Sequence, residues 1–124
     1  MKVLKHLAGL LLGILMTFPL QAATMEEEIE HLLDFVEKSG CEFERNGSTY
    51  DSVEARAHIQ RKYDYIKKRI KTTEDFIRYA ASQSSMSGRK YHATCDGKTV
   101  TSEEWLTKEL WNYRKKEVKS AGEK

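Results

Sequence analysis

The sequence predicts an α+β fold: about four helices packed on a short antiparallel sheet of hairpins, with one disulfide. Three observations predict it. Four segments place apolar residues at three- and four-residue spacing, the helical period. Two alternating segments fold back at Asn46-Gly47 and Asp96-Gly97. Cys41 and Cys95 both fall in those alternating segments, so a strand-to-strand bridge is natural.

Taken in order, the chain opens on a leader. Lys2 and Lys5 precede an apolar run from Leu7 to Phe18, and Pro19 with Ala22 and Ala23 ends it. That order is expected of a secretory signal peptide over residues 1–22, with cleavage after Ala22 or Ala23. The apolar run is too short to span a bilayer, so no transmembrane segment is expected once the leader is gone. Residues 23–124 then form a single small domain, with no linker and no internal repeat.

The first helix is predicted over 24–39. Met25, Ile29, Leu32, Leu33 and Val36 share a face, Thr24 can cap, and Gly40 follows as a stop. The hairpin 41–50 comes next, with Cys41 and Phe43 inward. Asn-Gly suits its turn because both central residues need positive φ. Asp51 and Glu54 form a capping box for a second helix, expected to run to about Lys71 on a stripe of Ala55, Ile59, Tyr63, Ile66 and Ile70. Thr72 caps a third helix through Phe76, Ile77, Ala80 and Ala81, which ends in a serine-rich stretch. Tyr91, Ala93 and Cys95 alternate on one strand face, and Lys98-Thr99-Val100 returns. Thr101 or Ser102 caps the last helix, which carries Trp105, Leu106 and Leu110 and is expected to fray from Lys115 onward.

Composition excludes several classes. The chain of 124 residues is 40% hydrophobic and 10% aromatic, so it is not a wholly disordered chain. Its formal charge of +2 rests on the leader lysines; without them basic and acidic side chains balance, so no nucleic-acid partner is expected. No metal-ligand spacing is present, and no metal or other cofactor is expected. In an exported chain the two cysteines read as a disulfide rather than a redox pair, since they lack the Cys-x-x-Cys spacing.

Three stretches carry a resemblance: Phe43 to Gly47, Arg69 to Ile77, and Ala81 to Tyr91. Their order is an Asn-Gly hairpin, a helix ending in arginine, a Thr-capped helix with Phe-Ile, then a serine-rich loop, glycine and tyrosine. It resembles the YfeK-like family of small exported bacterial proteins, a family of unknown function. The resemblance implies a periplasmic location in a Gram-negative bacterium. It implies no activity, so no catalytic residue is carried over.

Two features point to a ligand. Arg61, Lys62, Lys67, Lys68, Arg69 and Lys71 concentrate positive charge on the second helix, which is either a solvated face or a surface for an anionic partner. Ser82, Ser84, Ser85, Ser87 and Gly88 supply hydroxyls and amides beside arginines, chemistry that suits a carboxylate, phosphate or sugar as well as local capping. The candidate ligand-binding residues are Arg69, Ser84, Ser85, Gly88 and Tyr91. A serine hydrolase would need a histidine near Ser84 or Ser85. No Gly-x-Ser-x-Gly elbow exists, and His31, His58 and His92 are each expected at a surface or sheet edge. Trp105 is expected in the core and Trp111 well around the helix from it. The expectation is a monomeric, non-enzymatic periplasmic module that binds an envelope protein or a small anion. The rivals are a small envelope hydrolase and a peripheral binder of anionic lipid.

Overall fold

The computed structural model describes residues 22–122, so nearly all of the predicted leader lies outside the described residues. Four helices and a four-stranded antiparallel sheet follow in the predicted order. They are α1 (Met25–Lys38), β1 (Glu42–Arg45), β2 (Ser48–Tyr50), α2 (Ser52–Ile66), α3 (Thr73–Ala80), β3 (His92–Cys95), β4 (Lys98–Thr101) and α4 (Ser102–Gly122).

Local chemistry explains the boundaries. Thr24, Asp51 and Thr72 each cap a helix through a reciprocal box with Glu27, Glu54 and Asp75. Both hairpins turn on two residues of positive φ, Asn46 and Gly47 in one, Asp96 and Gly97 in the other, the backbone shape that matches strand twist. Thr101 ends β4, and its hydroxyl accepts from the Glu104 amide, so strand passes straight into helix.

The sheet order is β2-β1-β3-β4. Phe43 pairs with Tyr50 and Ala93, and Ala93 pairs with Val100, which sets one apolar face against the helices. Glu42, Glu44, His92, Thr94 and Thr99 fall on the opposite, polar face. Helix α1 touches the other three helices, and its Ile29, Leu32, Leu33 and Val36 are buried at the centre with Phe76, Ile77, Leu106 and Leu110. The Cys41–Cys95 disulfide ties the start of β1 to the end of β3 across 54 residues of chain. In the chain-entropy account such a cross-link stabilises a small core by roughly 4 kcal/mol.

Two expected boundaries are corrected. Helix α2 ends at Ile66, not near Lys71. The Arg69 amide donates back to the Ile66 carbonyl in a tight turn, and the amides of Lys71 and Thr72 are claimed by the Asp75 carboxylate of the next cap. The turn still delivers Ile70 into the core, where the stripe placed it. At the other end α4 does not stop at Lys115. It continues to Gly122 through a run that carries three lysines, Glu117 and Ala121, residue types that favour helix. The serine-rich stretch is an ordered narrow loop. Ser82 and Tyr91 are joined by a backbone hydrogen bond, as are Ser84 and Arg89.

Candidate functional site

The apolar stripe of α2 contains two polar residues. His58 and Lys62 lie one helical turn apart, interleaved with Ala55, Ile59 and Ile66, so the helix turns them toward the sheet and the serine loop. There they meet Tyr91, which the loop sets just before β3 with its ring buried. Lys62 Nζ donates to the Tyr91 hydroxyl at 3.1 Å and to the Gln83 carbonyl at 2.7 Å. His58 Nε2 lies 3.2 Å from the same hydroxyl.

The direction of this chain follows from electrostatics. Burial, then the charges of Arg45, Lys62 and Arg61, push the His58 imidazole down to about 4. The ring is therefore neutral at pH 7, and in the tautomer protonated at Nδ1 its Nε2 accepts the Tyr91 proton while Lys62 donates to the Tyr91 oxygen. Burial, then Arg45, also lowers the Lys62 ammonium. Burial raises the Tyr91 phenol, with Arg45 opposing it. Arg45 reaches inward from the end of β1, bonds the Tyr50 hydroxyl at 3.0 Å and covers the Tyr50 ring.

Among the described residues no carboxylate forms an ion pair with Arg45, Arg61, Lys62 or Arg69. Two adjoining clefts open beside them. One, of about 330 Å³, is lined by His58, Arg61, Lys62, Tyr65, Ile66 and Ser85. The other, of about 430 Å³, is lined by Ile66, Arg69, Ile70, Tyr79 and Ser85. Ile66 and Ser85 form their common wall. Chemically, the first cleft offers fixed positive charge, a spare ammonium N–H, a guanidinium and a hydroxyl, which is the equipment for holding an anion.

The candidate residues named from sequence separate in the structure. Ser85 is exposed and lines both clefts; Arg69 lines the second; Tyr91 bonds His58 and Lys62, which line the first. Ser84 is turned away. It is buried, and its hydroxyl oxygen accepts from Asn46 Nδ2 and from the amides of Met86 and Ser87, which locks the loop to the first hairpin turn. Gly88 holds a φ of 74° and donates its amide to the Ser84 carbonyl, so it shapes the turn. Among the described residues no histidine bonds Ser84 or Ser85. His31 bonds Glu109 at 2.6 Å and stacks on Tyr113, and His92 faces Glu44 from 3.6 Å on the polar side of the sheet. His58 departs from its expected surface position, because the stripe that carries Ala55 and Ile59 inward carries it too. His58 and Arg45, which the structure brings to this cluster, were not among the candidates named from sequence. The signal for His58 and Lys62 was present: two polar side chains four apart inside an apolar stripe. Arg45 alternates with Phe43 on β1, which marks it as inward-facing.

Comparison with known proteins places the chain. Residues 23–114 match a family of unknown function, DUF5329. The uncharacterized protein YfeK of Salmonella typhimurium is 33% identical over 92 residues, covering 71% of this chain and 77% of that protein. No solved structure matches. The YfeK-like resemblance of the hairpin, the Thr-capped helix and the serine loop thus holds across the folded domain, and the chain belongs to the DUF5329 family of unknown function.

Proposed function

We propose that this is an exported, periplasmic binding module that holds a small anionic ligand without turning it over, and that the ligand sits against Lys62, Arg61 and Ser85. One observation carries the reading. Lys62 is a half-buried cation with other cations beside it and no carboxylate to neutralise it among the described residues. An anion supplies the missing charge. The paired cysteines and the leader support export, because disulfides persist in oxidising compartments. A hydrolase has one point in its favour: His58 and Ser85 line the same cleft. Against it, His58 Nε2 is engaged by the Tyr91 hydroxyl and not by Ser85, so no nucleophile–base pair is formed in that cleft among the described residues.

The test uses protein recovered from the periplasm of a Gram-negative host and titrated with sulfate, whose charge is constant across the useful pH range. The expected mass begins at Ala23 and is two hydrogens light. Sulfate should bind saturably and raise the His58 titration, followed by NMR, from about 4 toward its ordinary 6.5. Lys62→Met should abolish both effects. A His58 titration indifferent to sulfate, or binding that survives Lys62→Met, would overturn the reading.

A further inference from the structure

The second cleft has no role if the ligand is a bare anion. It adjoins the first through Ile66 and Ser85, and it differs in character. Its walls are the Tyr79 ring, which is 54% exposed, the apolar side chains of Ile66 and Ile70, and the Arg69 guanidinium. Arg69 forms no ion pair among the described residues. Both clefts fall within the range of small-molecule sites, roughly 300–1,000 Å³.

Resting on the anion reading above, we infer that the two clefts form one bipartite site whose ligand is a phosphorylated sugar, phosphate in the first cleft and sugar ring in the second. The chemistry divides that way. Arg61 and Lys62 offer a guanidinium fork and an ammonium, which match a tetrahedral dianion. An aromatic ring accepts the C–H face of a sugar, while an arginine and a serine hydroxyl hydrogen-bond its hydroxyls. A hydrocarbon tail fits the second cleft poorly, since Arg69 would have to give up water without gaining a partner. Ser85 stands on the shared wall, where the phosphate ester would pass from one cleft to the other.

The experiment compares glucose 6-phosphate, inorganic phosphate and glucose by calorimetric titration of the folded, disulfide-bonded protein. Glucose 6-phosphate should bind about tenfold more tightly than phosphate, the increment expected of one aromatic–ring contact plus hydrogen bonds. Glucose alone should bind more weakly than either. Tyr79→Ala should bring glucose 6-phosphate down toward the level of phosphate and leave phosphate itself unchanged, whereas Arg69→Ala should weaken glucose 6-phosphate more than phosphate. Equal affinity for phosphate and glucose 6-phosphate, or a gap that survives Tyr79→Ala, would overturn the bipartite site while leaving the anion site standing. Absence of binding by both phosphate and glucose 6-phosphate would sink the anion reading and this inference with it.

Discussion

Arg114 and Lys62 are both partly buried cations, and the protein treats them in opposite ways. Arg114 lies where α1, α3 and α4 meet. It grips Glu28 with two hydrogen bonds of 2.8 and 3.0 Å and Glu74 with two more of 2.8 and 3.2 Å, while Thr73 donates to the same Glu28 carboxylate. Hydrogen bonds from Arg114 hold Glu28 below the ordinary carboxylate range despite its burial. Arg56 follows the same rule, bonded to Glu30 and Asp34 from α2 to α1. At the junction of α2 with the sheet, by contrast, the charges of Arg45, Lys62 and Arg61 all act on one neutral histidine that bonds a tyrosine. The first arrangement stabilises the fold. The second opposes it, since taking a charge from water without a counter-charge is unfavourable. Chains are locally consistent except where something besides stability is selected, so the unneutralised junction is where the proposed ligand would sit.

Two substitutions break the comparison most sharply. Glu28→Ala leaves Arg114 short of its main partner and Thr73 without an acceptor, and should lower stability by about 3 kcal/mol in urea denaturation. Lys62→Met keeps the aliphatic stem and removes the charge, so stability should stay within about 0.5 kcal/mol of the parent or rise. Comparable losses from both would mean that Lys62 is a structural cation like Arg114, and the contrast would fail.

Acid sharpens it further, because the two regions lose stability in different windows. His58 takes up its proton at about 4 when folded and near 6.5 when unfolded. Between those values the unfolded chain binds the extra proton, so stability falls as the pH drops from 6.5 to 4. The screening of a partly exposed ring limits the effect to roughly 1–2 kcal/mol. Glu28 and Glu74 are held low by Arg114, so their contribution is present above 4.5 and is lost only as the pH falls through their folded values. Urea denaturation at a series of pH values should show two steps, and His58→Gln should erase the upper one. An upper step that persists in His58→Gln would assign it elsewhere.

The two regions also differ in how legible they were in the sequence. Helices, hairpins and disulfide partners were readable because each has a local signal: a period, a cap, an Asn-Gly or Asp-Gly turn, a pair of cysteines. The Tyr91 bonds to His58 and Lys62 are contacts between elements some 30 residues apart, and no local rule encodes them. Tyr91, Arg69 and Ser85 were named from the sequence for their chemistry, hydroxyls and an arginine around the serine-rich stretch. The end of α2 was misjudged because its stop is made by Asp75, which lies in the next helix and claims the Lys71 and Thr72 amides.

Ser84 and Ser85 provide the finest version of the comparison, at adjacent positions with matching side chains. Ser84 accepts three hydrogen bonds, from Asn46 and from the Met86 and Ser87 amides, and two of those donors belong to the loop itself. Ser84→Ala removes the acceptor of three part-buried hydrogen bonds and should lower stability by about 1 kcal/mol. Ser85 is exposed, so Ser85→Ala should change stability by less than about 0.5 kcal/mol. Sulfate affinity should respond in the reverse order, weakened in Ser85→Ala and unchanged in folded Ser84→Ala. If Ser84→Ala instead weakened sulfate binding while leaving urea denaturation unchanged, the anion would have to sit on the hairpin side of the loop, away from Lys62, and the junction of α2 with the sheet would lose its claim to the ligand.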